Sequence, residues 1–116
     1  MSIRPHNFVE GEFYHIYTHS IANLNIFNNT RDYQRFLTLL FSANGTKTIP
    51  RLDRSIDLNL VWDIIENKIN IGEVLVDIIC FSLMTTHFHL LLKERKDGNI
   101  SKYMHRILVS HSKYFN

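Results

Sequence analysis

The chain of 116 residues holds one cysteine, two prolines, four glycines and one tryptophan. A lone Cys80 cannot close an internal disulfide, which suits a reducing compartment, and it removes cysteine-based zinc knuckles from consideration. With so little glycine and proline, 45% apolar and 21% charged residues, the composition excludes collagen-like, disordered and low-complexity chains. No run approaches the roughly 18 unbroken apolar residues of a membrane span. The richest stretch, Val74 to Met84, is interrupted by Asp77 and Ser82. The first residues carry no apolar core of the kind a secretory signal needs, so neither a leader nor a membrane partner is expected, and the expected location is cytoplasmic. There is no internal repeat.

What remains is an ordinary globular composition over residues 1–116, long enough for one domain with its own core and too short for two. The net charge of +2 is unevenly spread: residues 1–60 carry +1, residues 61–92 carry −3 and residues 93–116 carry +4. The basic final quarter suits a polyanionic partner as well as it suits a solvated helix face.

The apolar pattern predicts the element order. Phe13 to Ser20 is aromatic and β-branched, hence a strand. Asn28, Asn29 and Thr30 offer N-caps for a helix whose apolar stripe is Tyr33, Phe36, Leu37, Leu40 and Phe41, stopping near Asn44-Gly45. Thr46 to Asp57 reads as a loop and Leu58 to Ile69 as a short helix, so that residues 44–72 form an insert in which Trp62 anchors a local core. Glu73 to Met84 reads as a strand whose nearly continuous apolar character predicts a central position covered on both faces, with Cys80 a small buried hydrophobe. Thr85-Thr86 turns into a hairpin partner, His87 to Lys93, and after Asp97-Gly98 a last helix begins at Asn99 or Ser101 with Ile100, Met104, Ile107, Leu108, His111 and Phe115 on its apolar side. The fold class that follows is α+β: a ferredoxin-like split βαβ antiparallel sheet with helices on one face, the last strand of the pattern missing.

The chemistry-bearing feature is His87-Phe88-His89. Strand alternation puts both imidazoles on one face, about 7 Å apart along the chain, where they can converge on one divalent ion. On spacing alone, two surface histidines are the plainer explanation.

The context adds a resemblance. Tyr14-His15-Ile16-Tyr17, Ile26-Phe27, Asp32-Tyr33 with Phe36-Leu37, Cys80-Phe81 with Leu83-Met84 running into His87-Phe88-His89-Leu90-Leu91-Leu92, then Ile100-Ser101-Lys102 with Met104, and finally Tyr114-Phe115-Asn116, occur in the order seen in the REP-associated tyrosine transposases. Over most of residues 11–116 the chain resembles that group and, more broadly, the single-tyrosine HUH transposases of insertion sequences. It departs from them at Thr85-Thr86, where the group carries Pro-Asn, and at Thr18-His19, where it carries Asn-Arg.

The resemblance implies a transposase acting on single-stranded or hairpin DNA in the bacterial nucleoid. A divalent metal, Mg²⁺ or Mn²⁺, held by His87 and His89 would polarise the scissile phosphate while a tyrosine forms a covalent phosphotyrosine. The group's nucleophile lies beyond the segment matched by Tyr114-Phe115-Asn116, so the expectation is a catalytically incomplete chain. Tyr114 and Tyr103 are the fallback nucleophiles, although core or rim packing explains both better, and Tyr14, Tyr17 and Tyr33 read as core residues. Lys93, Arg95, Lys96, Lys102 and Arg106 are the candidate DNA-backbone contacts. His111 reads as a packing histidine, and His15 is placed to face the histidine strand across the sheet. A homodimer is compatible with the group. The alternatives are a nucleic-acid-binding module without cleavage and an inactive remnant.

Overall fold

The computed structural model describes residues 8–19, 24–47 and 58–115. In chain order the elements are β1 (Phe13–His19), α1 (Thr30–Ser42), α2 (Leu58–Ile65), β2 (Val76–Met84), β3 (His87–Glu94) and α3 (Asn99–Phe115). The three strands form one antiparallel sheet in the order β1-β3-β2. This is the α+β arrangement of the split βαβ pattern, with the hairpin's second strand inserted between β1 and β2.

Alternation along β3 decides which side is covered. Phe88, Leu90, Leu92 and Glu94 are fully buried, whereas His87, His89, Leu91 and Lys93 are only half-buried. Residues directly opposite in an antiparallel pair share a face, so Tyr14, Ile16 and Thr18 of β1 and Ile78, Phe81 and Leu83 of β2 lie on the covered side. Helices α1 and α3 pack there. Phe36 of α1 meets Phe88 at a ring separation of 5.0 Å. Ile100, Tyr103, Met104 and Ile107 of α3 complete the core with Leu39, Leu40 and Phe27. Each of these large side chains contributes roughly 1.5–3 kcal/mol on burial.

Helix α1 starts where its cap requires. Asn29 Oδ1 accepts the Asp32 N–H at 3.0 Å, and Asp32 Oδ2 accepts the Asn28 N–H at 2.7 Å, so two otherwise orphaned donors are satisfied. Helix α2 is shorter than the apolar pattern suggested. It stops at Ile65 because Asn67 takes a left-handed backbone, φ 60°. Most of the expected loop Thr46 to Asp57 lies outside the described residues, as does Ser20.

Four expectations are overturned. The central strand is β3, not the more apolar β2, which is an edge strand exposing Ile79 at 49% and Phe81 at 40%. Cys80 is exposed rather than buried, because the register places it opposite Leu91 on the uncovered face. Trp62 is 61% exposed; only Val61 and Ile64 of α2 turn inward, so Trp62 anchors nothing. Tyr17, expected in the core, is 57% exposed on the uncovered face.

Candidate metal and nucleic-acid face

The uncovered side of the sheet carries the histidines. Register places Phe13, His15, Tyr17 and His19 of β1 opposite Lys93, Leu91, His89 and His87 of β3. The same face continues on β2 with Asp77, Cys80, Ser82 and Met84. His87 and His89 point the same way, their rings perpendicular with centroids 5.1 Å apart. That shared projection follows from the two-residue period of a strand, and the position at the start of β3 follows from the Thr85-Thr86 turn. This turn is held from below: Thr85 O accepts the Ile26 N–H at 2.7 Å and the Phe27 N–H at 3.2 Å.

Each imidazole engages a protein partner through Nδ1. His87 Nδ1 lies 3.2 Å from Thr86 Oγ1. His89 Nδ1 lies 2.8 Å from His15 Nε2 across the β1–β3 pair. A metal-holding histidine characteristically uses its second ring nitrogen for such an outer partner, so Nε2 would be the ligand atom in both rings. The donor chemistry fits a divalent cation held by two neutral imidazoles with an open remainder of the coordination shell. Among the described residues no group of three or more His, Cys, Asp or Glu side chains is arranged to hold a metal. Water and substrate oxygens would therefore supply the other positions.

The candidate cations do not form one surface. Lys93 stands on the histidine face, its Nζ 5.5 Å from the Phe13 ring centroid. Arg95 pairs with Asp77 at 3.0 Å, and Lys96 is exposed in the following turn. Lys102 is exposed on α3, in the helical layer on the other side of the sheet. Arg106 is half-buried and donates to Ala43 O at 3.0 Å and to Gly45 O, satisfying carbonyls at the end of α1. Arg106 is a structural residue, and neither it nor Lys102 shares the face of His87 and His89.

The fallback nucleophile Tyr103 is fully buried, with its hydroxyl donating to Leu40 O at 2.6 Å. Burial pushes its phenol far above the ordinary tyrosine range, so it is a core residue and not an attacking group. The Tyr114 side chain lies outside the described residues. Among the described side chains, Tyr17 is the one tyrosine on the histidine face, 6.0 Å from His89 and 5.4 Å from His15 by ring centroids. His111 is 3% exposed, packs on Phe27 and Phe36, and donates from Nε2 to Ile26 O at 3.3 Å. Burial lowers its pKa to about 4, as a neutral packing histidine requires.

Comparison with family models, with curated proteins and with solved structures returns no match. The arrangement of the histidine face is therefore the whole basis for a functional reading, beside the resemblance in the sequence.

Sequence reasoning missed two residues that shape this region. Glu94, at the end of β3, is fully buried and accepts the Ile100 N–H at 3.0 Å. Asn44 binds the start of β2 through both ends of its carboxamide. Strand alternation alone marks Glu94 as inward-facing, the same parity as Phe88, Leu90 and Leu92; nothing local marks Asn44.

Proposed function

We propose that this chain binds single-stranded DNA as part of a transposase-like domain of the HUH kind, with His87 and His89 holding Mg²⁺ or Mn²⁺ against a backbone phosphate. The observation that supports it is the pairing of the two rings on an uncovered sheet face, each with Nδ1 turned to a protein partner. The bound cation would polarise the phosphorus and neutralise charge as a phosphoryl oxygen gains it. The chain's own part is to present two imidazoles, keep the face open to an extended strand, and place Lys93 about 13 Å further along β3, a distance that reaches a neighbouring phosphate.

Cleavage and rejoining through phosphotyrosine would proceed by attack of a phenolate oxygen on phosphorus, with departure of one ribose-linked oxygen and its return in the reverse step. Tyr103 takes no part, being sealed in the core. The reading assigns cation and DNA binding to the residues described and leaves the phenol to a group that approaches the histidine face.

A second reading has its own support. Phe13 and Tyr17 are each 57% exposed on the same face, and exposed aromatics beside a lysine suit base stacking without any cation. One experiment separates the two. Mn²⁺ is titrated against the wild-type chain and the His87→Ala and His89→Ala variants, and binding of a hairpin oligonucleotide is measured with Mn²⁺ and with a chelator. The cation reading expects both variants to lose Mn²⁺ and the Mn²⁺-dependent part of DNA binding. Equal Mn²⁺ binding by all three proteins rejects it. Salt-dependent DNA binding indifferent to chelator selects the stacking module.

A further inference from the structure

Resting on the reading that His87 and His89 hold a cation, we infer that His15 is the positioning residue for His89, accepting the His89 Nδ1 proton across the sheet and thereby fixing the nitrogen that His89 turns to the metal.

The geometry of the pair identifies it as a hydrogen bond and not as a ligand pair. His15 Nε2 and His89 Nδ1 are 2.8 Å apart. Their ring planes are inclined by 23°, with centroids 5.0 Å apart. A centroid separation so close to the N···N distance plus the two ring radii places the two nitrogens near the line between the centroids. An N–H of one ring then points at the lone pair of the other. Two lone pairs serving one cation would instead converge at an angle, drawing the centroids closer for the same separation of nitrogens.

Proton accounting supplies the direction. A neutral imidazole has one N–H and one lone pair. When the lone pair on His89 Nε2 goes to a cation, the His89 proton must sit on Nδ1, and the atom facing it, His15 Nε2, must accept. His15 then carries its own proton on Nδ1. The reverse arrangement, with His15 Nε2–H donating, places the His89 proton on Nε2 and closes that nitrogen to a metal. The pair therefore has two arrangements of the same net charge, and a cation selects one of them.

The sheet makes His15 the residue for this task. Tyr17 lies directly opposite His89, and His15 opposite Leu91, so His15 reaches His89 along the diagonal of the antiparallel pair. The Tyr17 ring flanks both imidazoles and restricts their rotation. Thr86 Oγ1 serves His87 Nδ1 in the same way from the adjacent residue. Outer partners of this kind contribute about 10–100-fold in metal affinity.

The test uses the full chain. In ¹⁵N-labelled wild-type protein without metal, a scalar coupling across the hydrogen bond from His15 Nε2 to His89 Nδ1 is expected, and its absence overturns the inference without any variant. With Mg²⁺ added, the ring nitrogen shifts of His89 should report the Nδ1–H tautomer. Calorimetric titration with Mn²⁺ should show His15→Phe binding about 10–100-fold more weakly than wild type. His15→Gln, whose carboxamide oxygen accepts the same proton, should recover most of the loss, a rescue that a merely space-filling role does not give. If His15→Phe binds Mn²⁺ as tightly as wild type while His87→Ala and His89→Ala do not bind it, His15 has no positioning role and the metal reading stands. If wild type takes up no Mn²⁺, the metal reading fails and this inference fails with it.

Discussion

Asn44 grips Val76 by both of its backbone groups: its Nδ2 donates to Val76 O at 2.9 Å and its Oδ1 accepts the Val76 N–H at 3.0 Å. Both bonds are buried. The carboxamide thus stands in for a neighbouring strand at the start of β2, on the side that β3 does not reach. It also ties the end of α1 to the sheet, since Asn44 O accepts the Leu75 N–H at 3.3 Å. Asn44→Ala leaves a buried donor and a buried acceptor unsatisfied and should cost about 2–4 kcal/mol in a urea melt. Asn44→Asp should fare no better, because a carboxylate oxygen would face the Val76 carbonyl. A loss below about 0.5 kcal/mol in both variants would show that water replaces the carboxamide.

Glu94 makes a second such link, from the end of β3 to the first turn of α3. Its carboxyl accepts the Ile100 N–H, one of the donors that a helix start leaves without an intrahelical partner. Burial raises its pKa above the ordinary carboxylate range, against the lowering influence of the backbone bonds from Ile100 and Gly98. Between the ordinary value and the raised one, the folded state holds more protons than the unfolded state. Stability from this group is therefore fully present at acid pH and is lost as pH rises through that window. Glu94→Gln keeps an oxygen for the Ile100 N–H without the charge. Its melting temperature should equal or exceed wild type at pH 7, and the two should converge near pH 4. Glu94→Ala, which removes the acceptor, should lose about 1–2 kcal/mol at both pH values. A Glu94→Gln protein markedly weaker than wild type at pH 7 would show that attraction to the helix N-terminus outweighs burial.

These two residues also show where sequence reading stops. Periodicity found β1, α1, β3 and α3, because each has one covered face and its apolar residues recur at the matching period. It misplaced β2, because Val74 to Cys80, apolar but for Asp77, does not alternate, and a run of that kind does not encode how many neighbours a strand has. Val76 is buried and Ile79 exposed only three positions apart. The irregularity between Ile78 and Cys80 shifts the register there and turns Cys80 outward. On the candidate site, alternation was enough to place His87 and His89 on one face. The link from His15 to His89 spans 74 positions and depends on strand register, which spacing within either motif does not contain. The basic residues are divided for a related reason: Lys93 and Arg106 are near in sequence but belong to opposite layers.

Arg106 and Tyr103 distinguish fold from chemistry on α3. Tyr103→Phe removes only the hydroxyl that donates to Leu40 O, so it should cost about 1 kcal/mol and leave DNA and Mn²⁺ binding unchanged. Arg106→Met should lower the melting temperature through the carbonyls of Ala43 and Gly45, again without changing the affinity for a hairpin oligonucleotide. Lys93→Ala should do the reverse, weakening DNA binding with little effect on melting. Filter binding and thermal melts on the three variants decide this. A DNA-binding loss in Arg106→Met as large as that in Lys93→Ala would return Arg106 to the DNA surface.

His111 gives the fold a second pH dependence, opposite in sign to that of Glu94. Its ring is packed between Phe27 and Phe36, and burial holds its pKa near about 4, with the Arg35 charge acting in the same direction. An unfolded histidine titrates near 6.5. Below that value the unfolded chain gains a proton that the folded chain refuses, so the stability from neutral His111 is complete above about pH 6.5 and falls as pH drops towards 4. The full loss is on the order of 3 kcal/mol. His111→Phe keeps an aromatic ring against Phe27 and Phe36 and gives up the bond to Ile26 O, so it should start about 1 kcal/mol below wild type at pH 7.5 and show no such decline. The comparison is cleanest in a Glu94→Gln background, where the opposing trend is absent. Urea midpoints at pH 7.5, 5.5 and 4.5 should then fall for the protein with His111 and stay level for the one with Phe. Parallel declines in both would place the titration on another group and remove His111 as its source.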